Sequence, residues 1–178
     1  AKGQIFTLYT PREIEGRHFE GWYTDEDLQH IYVTEPLLEN LTLSAKYSLI
    51  PYSINYSYNT NILPENPNPE TSYTIENTIL LKDAIKEGYT FLGWYIDNTK
   101  IEIIQGMHED LRLIGRFEAI SYRITYRDGQ DIIDTTNPTT YAVEKTERLL
   151  SVEKDGYDFV KWVDELGNEI SSTEGRLG

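Results

Sequence analysis

Gly88-Tyr89-Thr90-Phe91-Leu92-Gly93-Trp94-Tyr95 decides the fold, because the chain carries this stretch three times. Gly16-Arg17-His18-Phe19-Glu20-Gly21-Trp22-Tyr23 precedes it, and Gly156-Tyr157-Asp158-Phe159-Val160-Lys161-Trp162-Val163 comes after. The common core is G-x-x-F-x-x-W. It contains every Trp in the chain, namely Trp22, Trp94 and Trp162, at nearly even spacing. Internal self-similarity at a nearly fixed period is the signature of a repeat architecture.

Working outward, Leu41-Thr42-Leu43-Ser44-Ala45-Lys46-Tyr47 returns one period later as Leu111-Arg112-Leu113-Ile114-Gly115-Arg116-Phe117. Four residues after each copy comes Tyr52-Ser53-Ile54-Asn55-Tyr56 or Tyr122-Arg123-Ile124-Thr125-Tyr126. A period near 70 exceeds the roughly 20 to 50 residues of common solenoid units, so each unit reads as a small domain. Such a domain buries only about 60% of its unfolded surface and needs a dense core. The 14 Tyr, 5 Phe and 3 Trp supply one. The organisation expected is a partial repeat over 1–50, a complete one over 51–120 and a partial one over 121–178, an excerpt of a longer array. The repeat anchors are Gly16, Phe19, Trp22, Gly88, Phe91, Trp94, Gly156, Phe159 and Trp162.

Alternation of apolar and polar residues at 52–56 and 41–47 predicts half-buried strands. Pro64, Pro67 and Pro69 mark a loop, and 71–76 a second short strand. Asn77 or Thr78 resembles a helix N-cap, Ile79 to Glu87 has apolar spacings of three and four, and Gly88 stands where a left-handed C-cap falls. A short helix is expected there. The next strand, 88–97, would set Tyr89, Phe91 and Tyr95 on one face and Trp94 on the other, with Gly93 at a bulge or close approach. With 111–117 as the last strand, the unit is α+β, its helix on one face of a mixed sheet. Ile5 to Tyr9 would be the remnant of the helical region, or its approach, in the first copy.

The run from Tyr-x-Ile-x-Tyr through Gly-Tyr-Thr-Phe-Leu-Gly-Trp-Tyr-x-Asp to Leu-x-Leu-x-Gly-Arg-Phe resembles the Listeria–Bacteroides repeat, the B-repeat type of internalin-like surface proteins. The resemblance covers essentially the whole chain. Arg17-His18 replaces the usual Tyr-Thr in the first copy, and Lys161 and Val163 replace Gly and Tyr in the third. It implies β-grasp-like, ubiquitin- or SUMO-like modules in tandem on exported, wall-attached bacterial proteins, with roles in spacing, adhesion or partner contact.

The chain has 178 residues with 39% apolar and 26% charged, and no Cys, which removes disulfides, thiolate nucleophiles and cysteine zinc sites. Thirty acids against 16 bases, a formal charge of −14, argue against a non-specific nucleic-acid binder. The charge divides as −4, −5 and −5 over residues 1–50, 51–120 and 121–178, which is a solvated acidic surface. Charged and polar residues interrupt every apolar run well short of a bilayer-spanning length, so no membrane insertion by this segment is expected. Ala1-Lys2-Gly3-Gln4-Ile5 lacks the order of an export signal, so one is expected to be already removed or to lie outside these residues.

Enzymatic constellations are scarce. His18, His30 and His108 have no metal-ligand spacing, and no nucleophile elbow or phosphate loop occurs. The acidic groups Asp25-Glu26-Asp27, Glu109-Asp110 and Asp128/Asp131/Asp134 fit no calcium loop, and turn formation explains them. Asp25 and Asp97, each three residues after a Trp, suit turns. No enzyme, cofactor or metal is expected. The reading is an extracellular, cell-surface or wall-attached stalk and adhesion module with a protein or glycan partner. The rival is a carbohydrate-binding module, with Tyr56, Tyr58 and Tyr73 as its candidate contacts. Recurrence favours the tryptophans as core anchors, since a fold requirement repeats in every copy.

Overall fold

A computed structural model describes residues 3, 5–36, 39–61 and 63–177. The strands of the first copy are β1 (Arg17–Tyr23) and β2 (Ser44–Leu49). The middle copy holds β3 (Tyr52–Tyr58), β4 (Ser72–Tyr73), β5 (Thr78–Leu80), β6 (Tyr89–Ile96), β7 (Thr99–Ile101), β8 (Ile103–Gln105) and β9 (Leu111–Ala119). The third copy has only two-residue strands: β10 (Tyr122–Arg123), β11 (Arg127–Asp128), β12 (Asp131–Ile132), β13 (Thr140–Tyr141), β14 (Trp162–Val163) and β15 (Glu169–Ile170).

In the middle copy five strands form one sheet in the order β4-β3-β9-β6-β7, so the last strand made sits at the centre. Its sequence suits that place. Leu111, Leu113, Gly115 and Phe117 are buried and alternate with more exposed residues, the period-two pattern of a strand whose one face meets the core. β6 turns into β7 through Asp97-Asn98, where Asp97 has φ of 51°, in a tight two-residue hairpin loop closed by the Ile96–Thr99 pair.

The helix expected over Ile79 to Glu87 does not exist, and no helix occurs among the described residues. The α+β assignment with one short helix per repeat is therefore wrong. The residues are β-branched where it matters: Thr78 and Ile79 pair with Gln105 and Ile104, and Leu80 with Ile103, in the β5–β8 ladder. Asn77 turns its side chain backwards, accepting from the Thr74 amide at 2.7 Å, so it closes a turn and caps no helix. Ile85 bridges Glu65 through reciprocal backbone bonds of 2.9 and 3.0 Å. Gly88 has the left-handed φ of 79° expected of it, but it serves the turn that carries the chain from Lys86 to Tyr89. Ile5 to Tyr9 has no regular structure.

The chain divides into two compact units, each drawing on the middle copy. One comprises Ala1–Ser57, Asn68–Lys82 and Trp94–Ile114, and its core is Ile54, Tyr73, Trp94, Ile104, Leu111 and Leu113. The other comprises Tyr58–Pro67, Asp83–Gly93 and Gly115–Gly178, with Ala84, Phe117, Tyr126 and Leu149 buried.

Candidate functional site

The recurring motif spaces Phe and Trp three residues apart, which on a regular strand sends them to opposite faces. In the first copy they meet: the rings of Phe19 and Trp22 lie 5.6 Å apart, edge to face. A bulge between Phe19 and Gly21 inserts one extra residue, Glu20, and inverts the parity of the strand beyond it. Gly21 with φ of 150° and Gly93 with φ of 129° adopt backbone that side chains rarely take, which is why glycine stands there twice. Phe159 and Trp162 are also 5.2 Å apart.

Each tryptophan donates its indole N–H to a backbone carbonyl of its own copy: Trp22 to Tyr9 at 3.2 Å, Trp94 to Lys82 at 2.8 Å and Trp162 to Leu150 at 2.9 Å. In the middle and third copies an asparagine joins the same carbonyl. Asn68 accepts from the Lys82 amide and donates to its oxygen, at 2.8 and 2.9 Å, and Asn137 does both with Leu150, at 2.6 and 2.9 Å. Both asparagines are buried, so their amides are matched by backbone partners, as buried polar groups require. Sequence reading missed this pair. The available signal was the dipeptide Asn68-Pro69, which recurs one period later as Asn137-Pro138.

The tyrosines named as candidate sugar contacts sit as follows. Tyr73 is 2% exposed, and its hydroxyl donates to the Glu109 carbonyl at 2.6 Å. Tyr56 is half-buried with its ring 5.0 Å from that of Trp94, and half-buried Tyr58 lies 6.1 Å from Phe117. Burial pushes the phenol pKa of Tyr58 and Tyr73 above the ordinary value. The most exposed aromatics lie elsewhere, at Tyr9 and Tyr157.

The acidic groups serve turns and ion pairs. Asp25 accepts from the amides of Gln29 and His30 at 2.9 and 2.8 Å, bonds that hold its carboxyl below the usual range and close the turn expected after Trp22. Asp110 accepts from the Ser53 amide at 2.7 Å, with the same effect on its carboxyl. Asp164 accepts from the Asn168 amide at 2.8 Å and from Arg176 at 3.0 Å, which holds it at about 2. Asp128 pairs with Lys154 at 2.6 Å. His30 faces Asp25 and His108 faces Glu15, at 3.6 and 3.9 Å. Among the described residues no three His, Asp or Glu side chains are grouped to hold a metal ion, and no helix is long and apolar enough to cross a membrane.

Three copies, each with its motif tryptophan bonded to a backbone carbonyl of the same copy, define a class of protein, the tandem strand-built repeat. The sequence profile of the Listeria-Bacteroides repeat domain matches residues 1–46, 52–111 and 122–176, and the chain belongs to that family. A chain titled "Putative membrane protein" from Evansella cellulosilytica is 30% identical over 167 residues, covering 90% of this chain and 24% of the relative. Internalin H of Listeria monocytogenes is 36% identical over 104 residues, covering 53% of this chain and 18% of the relative. The chain thus spans less than a quarter of the length of either. No solved structure matches it.

Proposed function

We propose that the chain is a non-catalytic repeat segment of an exported bacterial protein, held at the cell surface or wall, that works as a stalk and as an adhesion or protein-interaction element. What carries this reading is the fate of the repeated residues: the motif Trp of each copy is tied to that copy's own backbone. A ligand surface would hold its recurring aromatics outward. The kinship with internalin H and with proteins titled as membrane proteins supports a surface setting. The formal charge of −14 favours a soluble, self-repelling array and disfavours nucleic acid as partner. The stalk needs no cofactor and no metal.

One observation favours the carbohydrate reading as a second possibility. A groove of about 650 Å³ in the third copy is lined by Tyr157, Phe159 and Trp162 beside Asp128 and Lys154, a mixture of rings and polar groups that suits sugars. The two readings separate in one experiment, with the 178-residue chain applied to a glycan array and to intact host cells. Cell binding untouched by soluble sugars, or no binding to either surface, supports the interaction and stalk reading. Saturable glycan binding that Tyr157→Ala and Phe159→Ala abolish would replace it with the carbohydrate reading.

A further inference from the structure

Successive copies meet twice in this chain, and the same parts meet each time. At the first junction Gly16, buried and left-handed with φ of 69°, lies so close to Ile75 of the next copy that a Cβ on the glycine would stand 2.8 Å from Ile75 Cβ. At the second, buried Gly88 with φ of 79° faces Val143, and a Cβ there would stand 2.5 Å from Val143 Cγ1. Ile75 and Val143 occupy equivalent places, each two residues beyond a tyrosine of the short strand and each followed by glutamate.

The path of the chain closes on itself at both places. The amide of Ile50 donates to Gly16 O at 2.9 Å, as that of Ile120 does to Gly88 O at 2.9 Å. Two residues later the next copy begins at Tyr52 or Tyr122, which pairs with Tyr73 or Tyr141 in register, the rings 5.7 and 5.3 Å apart. Two residues beyond those tyrosines, Ile75 or Val143 returns to the starting glycine. At the first junction the residue after the glycine also pairs with the glutamate that follows Ile75, Arg17 to Glu76 at 2.6 Å; at the second, the Glu144 carboxylate that follows Val143 stands near the Tyr89 phenol, whose pKa is raised by burial and then by this charge.

We propose that the left-handed glycine opening each motif is a socket, that the Ile- or Val-Glu turn of the following copy is its key, and that the pair locks neighbouring copies into one orientation. The third copy presents the same socket unfilled: Gly156 is exposed with φ of 77°, nothing lies within 4 Å of where its Cβ would be, and Tyr157 beside it is exposed. Its partner is the Ile- or Val-Glu turn of another copy of this repeat. An ordinary joint between small domains moves freely unless a packed contact holds it. The glycine is required because only a residue without Cβ gives both the left-handed turn and the close approach. This deepens the stalk reading and rests on it only for its use.

The absence of native cysteine allows a clean test. Spin labels are placed at L92C in the middle copy and L166C in the third, both exposed positions, and the distance distribution between them is measured by pulsed electron resonance in the 178-residue chain. The lock gives one narrow distribution. G88A and V143A each broaden it, roughly doubling its width as a free joint would, while circular dichroism shows the sheet retained. G156A imposes the same left-handed strain where no neighbour stands, so it leaves the distribution narrow. A broad distribution in the unsubstituted chain, unchanged width in both G88A and V143A, or equal broadening by G156A would overturn the lock. None of these readouts involves a ligand, so failure here leaves the stalk reading standing as a flexible one.

Discussion

Trp94 and Trp162 donate to equivalent carbonyls at 2.8 and 2.9 Å, each carbonyl shared with a buried asparagine, yet Trp94 is 2% exposed and Trp162 only half-buried. The difference lies in the surrounding sheet. In the middle copy β9 lies between β3 and β6, and its Leu111, Leu113 and Phe117 are buried. In the third copy the outer pairs are kept, with Tyr122 opposite Tyr141 as Tyr52 is opposite Tyr73, and Trp162 opposite Ile170 as Trp94 is opposite Ile101. They remain separate two-stranded ladders, and the 650 Å³ groove is lined by residues that come after β10 and by residues of and before β14. Val160, Tyr157 and Val163 are correspondingly exposed. Local hydrogen bonding thus places a tryptophan, and the five-stranded sheet around Trp94 accompanies its burial.

The largest difference between the two copies is expected at the tryptophans themselves. Trp94→Ala is expected to cost about 3–5 kcal/mol and unfold the middle copy, as deletion of a buried aromatic does. Trp162→Ala, removing a half-buried ring, is expected to cost about 1–2 kcal/mol. Denaturant unfolding followed by near-ultraviolet dichroism checks both, and equal costs would show that β9 is not what separates the copies. At the next scale, Asn68→Ala and Asn137→Ala each strip two backbone bonds and are expected to cost about 1–3 kcal/mol, alike in the two copies because both side chains are buried alike. A neutral Asn137→Ala would mean that the third copy does not depend on its anchor.

Smaller effects sharpen the cause. Lys161→Gly restores the glycine that the motif carries at Gly21 and Gly93, but residues 157–161 are expected to keep fast amide exchange, because a strand needs a partner for its hydrogen bonds more than it needs a bulge. The smallest effect is electrostatic. The Asp164 carboxyl, held at about 2 by the Asn168 amide and then by Arg176, has a folded pKa below its ordinary value of 3.8. Its contribution to stability is therefore present above pH 3.8 and is lost as pH falls through about 2. Carboxyl chemical shifts across that window check it, and Asp164→Asn is expected to flatten this part of the acid limb.

Much of the middle copy was legible from its letters. Alternation at 52–56 and 111–117 marks β3 and β9, and the glycine before Trp22 marks the bulge of β1. The helix was misread because Ile79, Leu80, Ala84 and Ile85 carry helical spacing as well as strand-forming side chains. A single sequence does not contain the competing attraction, which is the β8 ladder and the capture of Lys82 by Asn68 and Trp94. In the first copy one inserted residue reverses every side chain after it, which is why Phe19 and Trp22 meet despite their spacing of three. The buried asparagine escaped notice because Asn beside Pro reads as ordinary turn chemistry until its two copies are compared.

If the motif tryptophan anchors the fold, the indole protons report on it directly. Their exchange with heavy water in a proton–nitrogen correlation spectrum should rank Trp94 as far the slowest, with Trp22 and Trp162 faster but still slower than a free indole. Three indoles exchanging alike at the rate of free tryptophan would mean that none of them anchors its copy.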